Sequence, residues 1–156
     1  MLGADASVFP SVFVALYAAH EVGDHWLQTN GQACGKGAAG WTGRLLCARH
    51  VATLTAVKAA ALTVVAMVLA LPLNPYAVSA ALAVDAVSHY WADRRTTLVA
   101  LADWLGRTLV PGKGGFARLG DGATAPTGTG AYALDQSWHI GWLAAAALVA
   151  SLGVSV

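Results

Sequence analysis

Long apolar stretches alternate with short polar ones along the chain, and this pattern predicts helices long enough to cross a membrane. The hydrocarbon core of a bilayer is about 30 Å thick, so a crossing helix needs about 20 mainly apolar residues. Four stretches of the sequence have this character. We therefore predict four transmembrane helices, at about residues 7–29, 42–71, 76–94 and 133–152.

Segments rich in glycine and proline separate the predicted helices. Residues 30–37 indicate a loop after the first helix, and residues 72–75 a tight turn after the second. A long connection, residues 95–132, joins the third helix to the fourth. Apolar residues at helical spacing in its first half, 97–105, predict either an extension of the third helix or an amphipathic helix in the membrane interface. Its second half, from residue 112 to 130, is predicted to be loop.

Composition agrees with a membrane location. Of the 156 residues, 57% are apolar and 11% are charged, whereas soluble domains have about a quarter charged residues. A net charge of +1 excludes the broad basic surface of a nucleic-acid-binding protein. We predict an all-α, four-helix transmembrane bundle in one domain, residues 1–156, in contact with membrane lipid and able to function alone or as a homodimer.

Lysine and arginine placement predicts the orientation of the bundle. Eight of the nine basic residues flank or lie within the first and third connections, Lys58 lies within the second predicted helix, and the middle turn and both termini have none. The positive-inside rule therefore places those two connections in the cytoplasm and both termini outside. The predicted location is the cell (inner) membrane, crossed several times, with the long loop on the cytoplasmic side.

Ionisable side chains recur at four-residue spacing within the apolar stretches. Residues four apart lie on one face of a helix, so each pair converges on one spot. In the predicted topology all of them lie at similar depth, in the cytoplasmic half of the bundle. Because charges in hydrocarbon are costly, we predict that they form one shared site. Its members are His20, Asp24, His50, Asp85, His89, Asp93, Asp135 and His139.

The mixture of imidazole and carboxylate groups predicts a divalent metal, zinc or manganese, since calcium and magnesium prefer all-oxygen ligands. Eight candidate ligands exceed one tetrahedral site. They fit a dinuclear centre in a helical bundle, or one ion with outer carboxylates that orient the imidazoles. A third interpretation is a set of buried polar residues that hydrogen-bond to one another.

Two arginines, Arg94 and Arg95, follow Asp93 directly. Guanidinium groups bind phosphate through two parallel hydrogen bonds, so the pair could clamp an anionic substrate. Alternatively, the pair only anchors the helix on the cytoplasmic side.

The motifs resemble those of a family of uncharacterised bacterial and phage membrane proteins, known as domain of unknown function 3307. That family has a His-x3-Asp-Phe-x2-Gln opening, a central His, an Asp-x3-His-x3-Asp helix and a closing Asp-Gln-x2-His. Residues His20 to Gln28 of this chain match the opening motif, except that His25 replaces the Phe. Position 54, one helical turn after His50, is leucine, so the second helix has one histidine and not two. The motifs are also loosely similar in style to membrane-bound metal-dependent hydrolases. The resemblance implies an integral membrane protein whose motif residues share a site.

The predicted function is a metal-dependent membrane hydrolase that acts from the cytoplasmic side on a lipid-linked or phosphoester substrate. Asp24 and Asp135 are the predicted catalytic residues, with Asp135 a ligand, an outer partner or the general base. A metal-ion or proton transporter is the main alternative, although ligands at a single depth argue against it. A lipid head-group phosphotransferase and a non-enzymatic protein with a structural polar core are further alternatives.

Overall fold

The computed structural model describes residues 7–120 and 130–152, which contain helices and no β-strand. The all-α prediction is therefore confirmed for these residues. The long helices begin and end within a few residues of the predicted segments. The helices are α1 (Val8–Val22), which continues as a π-helical turn (Gly23–Leu27), α2 (Asn30–Gly35), α3 (Gly40–Leu69), α4 (Pro75–Asp93), α5 (Thr96–Thr108), α6 (Lys113–Ala117) and α7 (Gly130–Ala150).

The four long helices form a closed ring. Helix α1 packs against α3 and α7, and α4 packs against the same two helices. An apolar core fills one end of this ring, and short side chains let the helices approach closely there. Its fully buried members include Leu16, Leu62, Ala81, Leu143 and Ala146.

Local sequence signals explain where α3 ends and α4 begins. Ala70 adopts a left-handed conformation with φ of 51°, which ends α3. The side chain of Asn74 accepts hydrogen bonds from the backbone N–H groups of Tyr76 and Ala77. Pro75 follows at the first position of α4. A backbone N–H at this position has no acceptor within the helix, so proline removes no hydrogen bond there. The tight turn predicted between these two helices is therefore present.

Two short helices lie where loops were predicted. Helix α2 is stabilised at its start by a capping box, in which Thr29 and Gln32 each bond the backbone of the other. The Thr-x-x-Gln pattern is a signature of this motif, so the prediction of loop at residues 30–35 was wrong for a recognisable reason. Helix α6 begins after Gly112, whose φ of 85° suits glycine. Asp121 and the rest of the predicted loop up to residue 129 lie outside the described residues.

Helix α5 is separate from α4 and packs against α6 and α7. It buries Leu98 and Ala102, and it exposes Trp104. Arg118 donates two hydrogen bonds to the Asp103 carboxylate, at 2.6 and 2.8 Å, which joins α6 to α5. These hydrogen bonds hold the pKa of Asp103 below its usual range. Of the two interpretations of residues 97–105, the separate amphipathic helix is the one that the structure contains.

Among the described residues, one helix has the length and composition needed to cross a membrane. It is α3, with 30 residues, and only 22% of its most apolar segment is buried inside the fold. The helical bundle is thus established for the described residues, together with one candidate membrane span.

Candidate metal centre

Imidazole and carboxylate groups from α1, α3 and α4 converge at the end of the bundle opposite the apolar core. The Nε2 atom of His50 lies 2.9 Å from Oδ1 of Asp24 and 3.1 Å from Nε2 of His89. Oδ2 of Asp93 lies 3.2 Å from Nε2 of His89 and 3.4 Å from Nε2 of His50. Four potential donor atoms from three helices therefore face one another over very short distances.

The distances between neighbouring atoms of this set are close to those in a metal coordination shell. Zinc binds histidine nitrogen and carboxylate oxygen at about 2.0–2.2 Å, so the donor atoms of a tetrahedral site lie about 3.3–3.6 Å apart. The observed distances of 2.9 to 3.4 Å fall at or slightly below this range. Outward movements of a few tenths of an ångström, on the order of ordinary metal-site tolerance, would fit an ion between them.

Two further histidines border this group. The ring of His139 lies 4.1 Å from that of His89 and 5.1 Å from that of His20, measured between ring centroids. His89, Asp93 and His139 form a second set of donors within 4.8 Å of one another. Both ring nitrogens of His20 and of His139 are buried without a hydrogen-bond partner among the described residues. Buried polar atoms are normally partnered, so these nitrogens are available to an ion.

The sequence around Gly23 explains how α1 reaches α3 at this level. A Cβ atom on Gly23 would lie 2.2 Å from Cδ1 of Leu54, so glycine allows this close approach without displacing the end of the leucine side chain. The π-helical turn begins at the same glycine and contains Asp24. Such turns are rare and are often found at functional sites. Together they place the Asp24 carboxylate against His50.

Lys36 is a site residue that sequence analysis missed. Its ammonium group is buried and lies 2.8 Å from Oδ1 of Asp93 and 4.0 Å from Oδ1 of Asp24. Arg94 donates hydrogen bonds of 2.6 Å to the backbone oxygens of Lys36 and Ala38, which fixes the loop that carries the lysine. The only sequence signal was a lysine between two glycines, and nothing local indicates that it folds back onto α4.

Asp85 lies apart from both donor groups. Its Oδ2 atom binds the ammonium group of Lys58 at 2.6 Å, and both side chains are buried. Asp85 and Asp93 are eight residues apart, which is about 12 Å along a helix at 1.5 Å per residue. One ion therefore cannot bind both. Asp85 was predicted as a ligand, and the geometry instead makes it the partner of a lysine that lies between the site and the apolar core.

A cavity of about 380 Å³ opens beside the donor group. The Asp135 carboxylate borders it, is 26% exposed and has its Oδ2 atom 3.7 Å from Nδ1 of His139. The chain therefore combines a buried donor group with a partly exposed carboxylate. The cavity is lined by Asp24, His25, Gln28, Lys36, Asp93, Arg95, Leu98, Val99, Ala117, Ala131, Tyr132, Leu134, Asp135 and Gln136.

Comparison of the chain with known proteins gives no match to a family model, a curated protein or a solved structure. The donor set is thus the guide to the chemistry. Buried His and Asp groups that could hold a metal ion are present. Mixed imidazole and carboxylate donors suit zinc, manganese or iron better than calcium or magnesium.

Proposed function

We propose that this protein is a membrane-embedded, metal-dependent hydrolase that cleaves a phosphoester bond in a lipid-linked or amphipathic substrate. Asp24, His50, His89 and Asp93 hold a divalent ion, zinc or manganese. The main support is a buried cluster of four donor atoms in which neighbouring atoms lie 2.9 to 3.4 Å apart. The cavity beside this cluster gives a substrate access to it.

Outward-facing apolar side chains support a membrane location for the whole ring of helices. Each long helix exposes at least one large aliphatic residue: Val14 is 63% exposed, Val68 75%, Val87 71% and Leu148 57%. Soluble monomers rarely expose extensive apolar surface, whereas a bilayer favours it. Each of the four helices therefore crosses the membrane in this proposal.

The site's own residues explain why the other three helices are less apolar than α3. The α-helical part of α1 has 15 residues and continues into the π-helical turn. Helices α4 and α7 have 19 and 21 residues, but both contain Asp and His residues of the site. In a bundle such residues face inward, so they lower the average hydropathy without meeting lipid.

Basic and aromatic residues support a site that faces the cytoplasm. Lys36 and Arg95 lie at the cavity, and Trp26 and Trp41 are exposed on neighbouring segments. Tryptophan is enriched at membrane interfaces, and lysine and arginine on the cytoplasmic side. Both termini then lie outside, as the charge pattern predicts.

A bound divalent ion would supply Lewis acidity at the base of the cavity. Asp24 and Asp93 would each give the ion one carboxylate oxygen, and Lys36 contacts the other oxygen of Asp93. Asp135 would act as the general base: its carboxylate borders the cavity, where it would take the proton from the attacking water and return it to the departing alcohol oxygen as the P–O ester bond breaks. His139, 3.7 Å from that carboxylate, faces it from the buried side.

A second ion would bind His139 of the overlapping donor group and share the Asp93 carboxylate, because the one nitrogen that His89 gives to the first ion cannot bind a second. Ion pairs about 3.5–4 Å apart serve many phosphoesterases. The dinuclear form of the proposal therefore predicts two ions per chain, and the mononuclear form predicts one.

The test combines activity with metal content. The protein, purified in detergent, should hydrolyse p-nitrophenyl phosphate or a short-chain phosphatidic acid. A chelator should abolish this activity, and zinc or manganese should restore it. Asp93→Asn should lose both activity and metal, whereas Asp103→Asn, which makes the same change outside the cavity and the donor groups, should retain both. A folded parent protein without stoichiometric metal would overturn the proposal.

Ion transport is the second candidate, and the Lys58–Asp85 pair is the observation that favours it. This buried pair adds ionisable groups deeper in the bundle than the donor cluster, and ion pathways need such groups at several depths. Zinc and proton flux into liposomes should then occur with the parent and fail with Asp85→Asn. No flux with the parent would remove this candidate.

The relationship to domain of unknown function 3307 is part of the proposal. It rests on the motif residues, whose side chains include the four proposed ligands. The proposal therefore predicts the same metal site in other members of that family.

A further inference from the structure

We propose that the cavity contains a phosphate-binding subsite, formed by Lys36 and Arg95, that becomes functional when the adjacent centre binds its metal. The subsite would take the phosphate group of a monoester. This inference rests on the proposed metal centre and names the substrate group that the centre acts on.

Lys36 joins the metal centre to the cavity. Its ammonium group has three N–H donors, and one of them is directed to Oδ1 of Asp93 at 2.8 Å. The same side chain lines the cavity. The lysine can therefore hold Asp93 in place and still donate to a ligand beside it. Because its side chain is buried, its charge acts in a medium that screens it less than water does.

Arg95 lines the same cavity from the start of α5. Its guanidinium group donates one hydrogen bond, to the backbone oxygen of Ala33 at 2.8 Å. The side chain passes close over Gly37, where a Cβ atom would lie 3.1 Å from its Cδ atom. Gly37 thus lets Arg95 approach the loop that carries Lys36. A planar guanidinium that is anchored on one side suits an oxyanion on the other.

A neutral donor also faces the cavity. Gln28 lines it, and the Nε2 atom of this residue is buried without a hydrogen-bond partner among the described residues. A buried amide without a partner is unfavourable. A phosphate oxygen in the cavity would supply the missing acceptor.

Charge balance makes phosphate binding depend on the metal. Among the described residues, three carboxylates and two cationic side chains line the cavity, so its formal charge is −1 with neutral histidines. A divalent ion at the donor group changes this charge to +1. An anion is thus repelled from the empty centre and attracted to the loaded one. The apolar residues Leu98, Val99 and Leu134 also line the cavity, where they would contact the organic part of an ester.

Calorimetric titration of inorganic phosphate into the purified full-length protein tests this proposal. The zinc-loaded parent should bind phosphate at least about fivefold more tightly than the zinc-free parent, as expected for two coupled sites. Zinc should bind more tightly in the presence of phosphate by the same factor, since coupling is reciprocal. Equal phosphate affinity with and without zinc would overturn the proposal.

Two charge-removing variants and one matched control assign the effect to residues. Arg95→Met and Lys36→Met should each weaken phosphate binding to the zinc-loaded protein about tenfold or more, as loss of a charged hydrogen bond does. Lys36→Arg should retain binding. Arg49→Met makes the same charge change on the exposed face of α3 and should have no effect. If Lys36→Met also loses zinc, the phosphate affinity of zinc-loaded Arg95→Met is the deciding measurement, because Arg95 is not in contact with the proposed ligands.

The failure of this proposal and that of the proposed function give different results. A folded parent that binds no metal would overturn both. A parent that binds zinc stoichiometrically but no phosphate, or one whose phosphate affinity is unchanged in Arg95→Met and Lys36→Met, would overturn the subsite alone.

Two further titrations distinguish the sources of the phosphate group. Dihexanoyl phosphatidic acid should displace inorganic phosphate if the group belongs to a lipid, and the matching diacylglycerol should not. Glycerol 3-phosphate should displace it equally well if the natural ligand is a soluble monoester. Displacement by either compound supports the subsite, and displacement by neither overturns it.

Discussion

The two ends of the helical ring are built on opposite principles, although the same four helices form both. At one end, Leu16, Leu62 and Leu143 are fully buried among alanines, and the contacts are apolar. At the other end, the buried side chains are imidazoles and carboxylates, and several of their polar atoms make no hydrogen bond among the described residues. Half-satisfied polar groups destabilise a core. The apolar end therefore stabilises the fold through packing, whereas the polar end has buried groups that a bound ion, as proposed above, would satisfy.

Lys58 and Asp85 lie at the boundary between the two ends and give the largest predicted effect. Asp85→Ala would leave the Lys58 ammonium buried without its partner. Breaking a buried ion pair in this way costs about 3–5 kcal/mol. We expect a loss of this size in the free energy of unfolding, measured by denaturant titration in detergent.

Replacement of both partners is the control for that prediction. The double variant Lys58→Met/Asp85→Leu removes both charges with apolar groups of similar size, and it should be close to the parent in stability. If Asp85→Ala were as stable as the parent, the pair would not mark a boundary within the bundle.

The apolar end gives the second prediction. Leu143→Ala should destabilise the fold by about 2–5 kcal/mol, because it leaves a cavity among tightly packed helices. Zinc affinity of the remaining folded protein should be unchanged. Leu148→Ala removes the same atoms from an exposed position on the same helix and should have much less effect. A large loss of zinc affinity in Leu143→Ala would show that the two ends are not independent.

The helix contact at Gly23 gives the smallest predicted effect. In Gly23→Ala the new methyl group would push the end of the Leu54 side chain away, and overpacking of this kind costs about 1–3 kcal/mol. The value should lie near the lower limit because a leucine methyl group can move. Zinc affinity, measured by competition with a chelating dye, should fall up to tenfold as Asp24 moves from His50. Gly31→Ala, whose new Cβ would have no atom closer than 4.0 Å, should leave the affinity unchanged.

The sequence predicted those features that depend on residues near one another in the chain. Helix ends followed from the turn around Asn74 and Pro75, and four-residue spacing identified His89 with Asp93 and His20 with Asp24. The ionisable residues of all four predicted helices lie at similar depth in the predicted topology, and this assigned His50 and His139 to the same site. The capping box at Thr29 was also visible in the sequence, but it was overlooked.

Contacts between distant segments could not be predicted in the same way. Lys36 reaches Asp93 through a folded loop, and no periodic pattern indicates that contact. Asp85 and Asp93 are each four residues from His89, so the spacing alone predicted both as ligands. Only the position of Lys58 on the neighbouring helix distinguishes the two carboxylates. The unequal roles of Arg94 and Arg95 likewise depend on which backbone oxygens each one meets.

The most direct test of the central claim is the metal content of the purified, folded protein, compared with that of a His89→Ala/Asp93→Asn variant. We predict one or two zinc or manganese ions per parent chain and none in the variant, with His25→Ala equal to the parent. A folded parent without metal, or a variant with the metal content of the parent, would contradict the claim that these side chains form a metal centre.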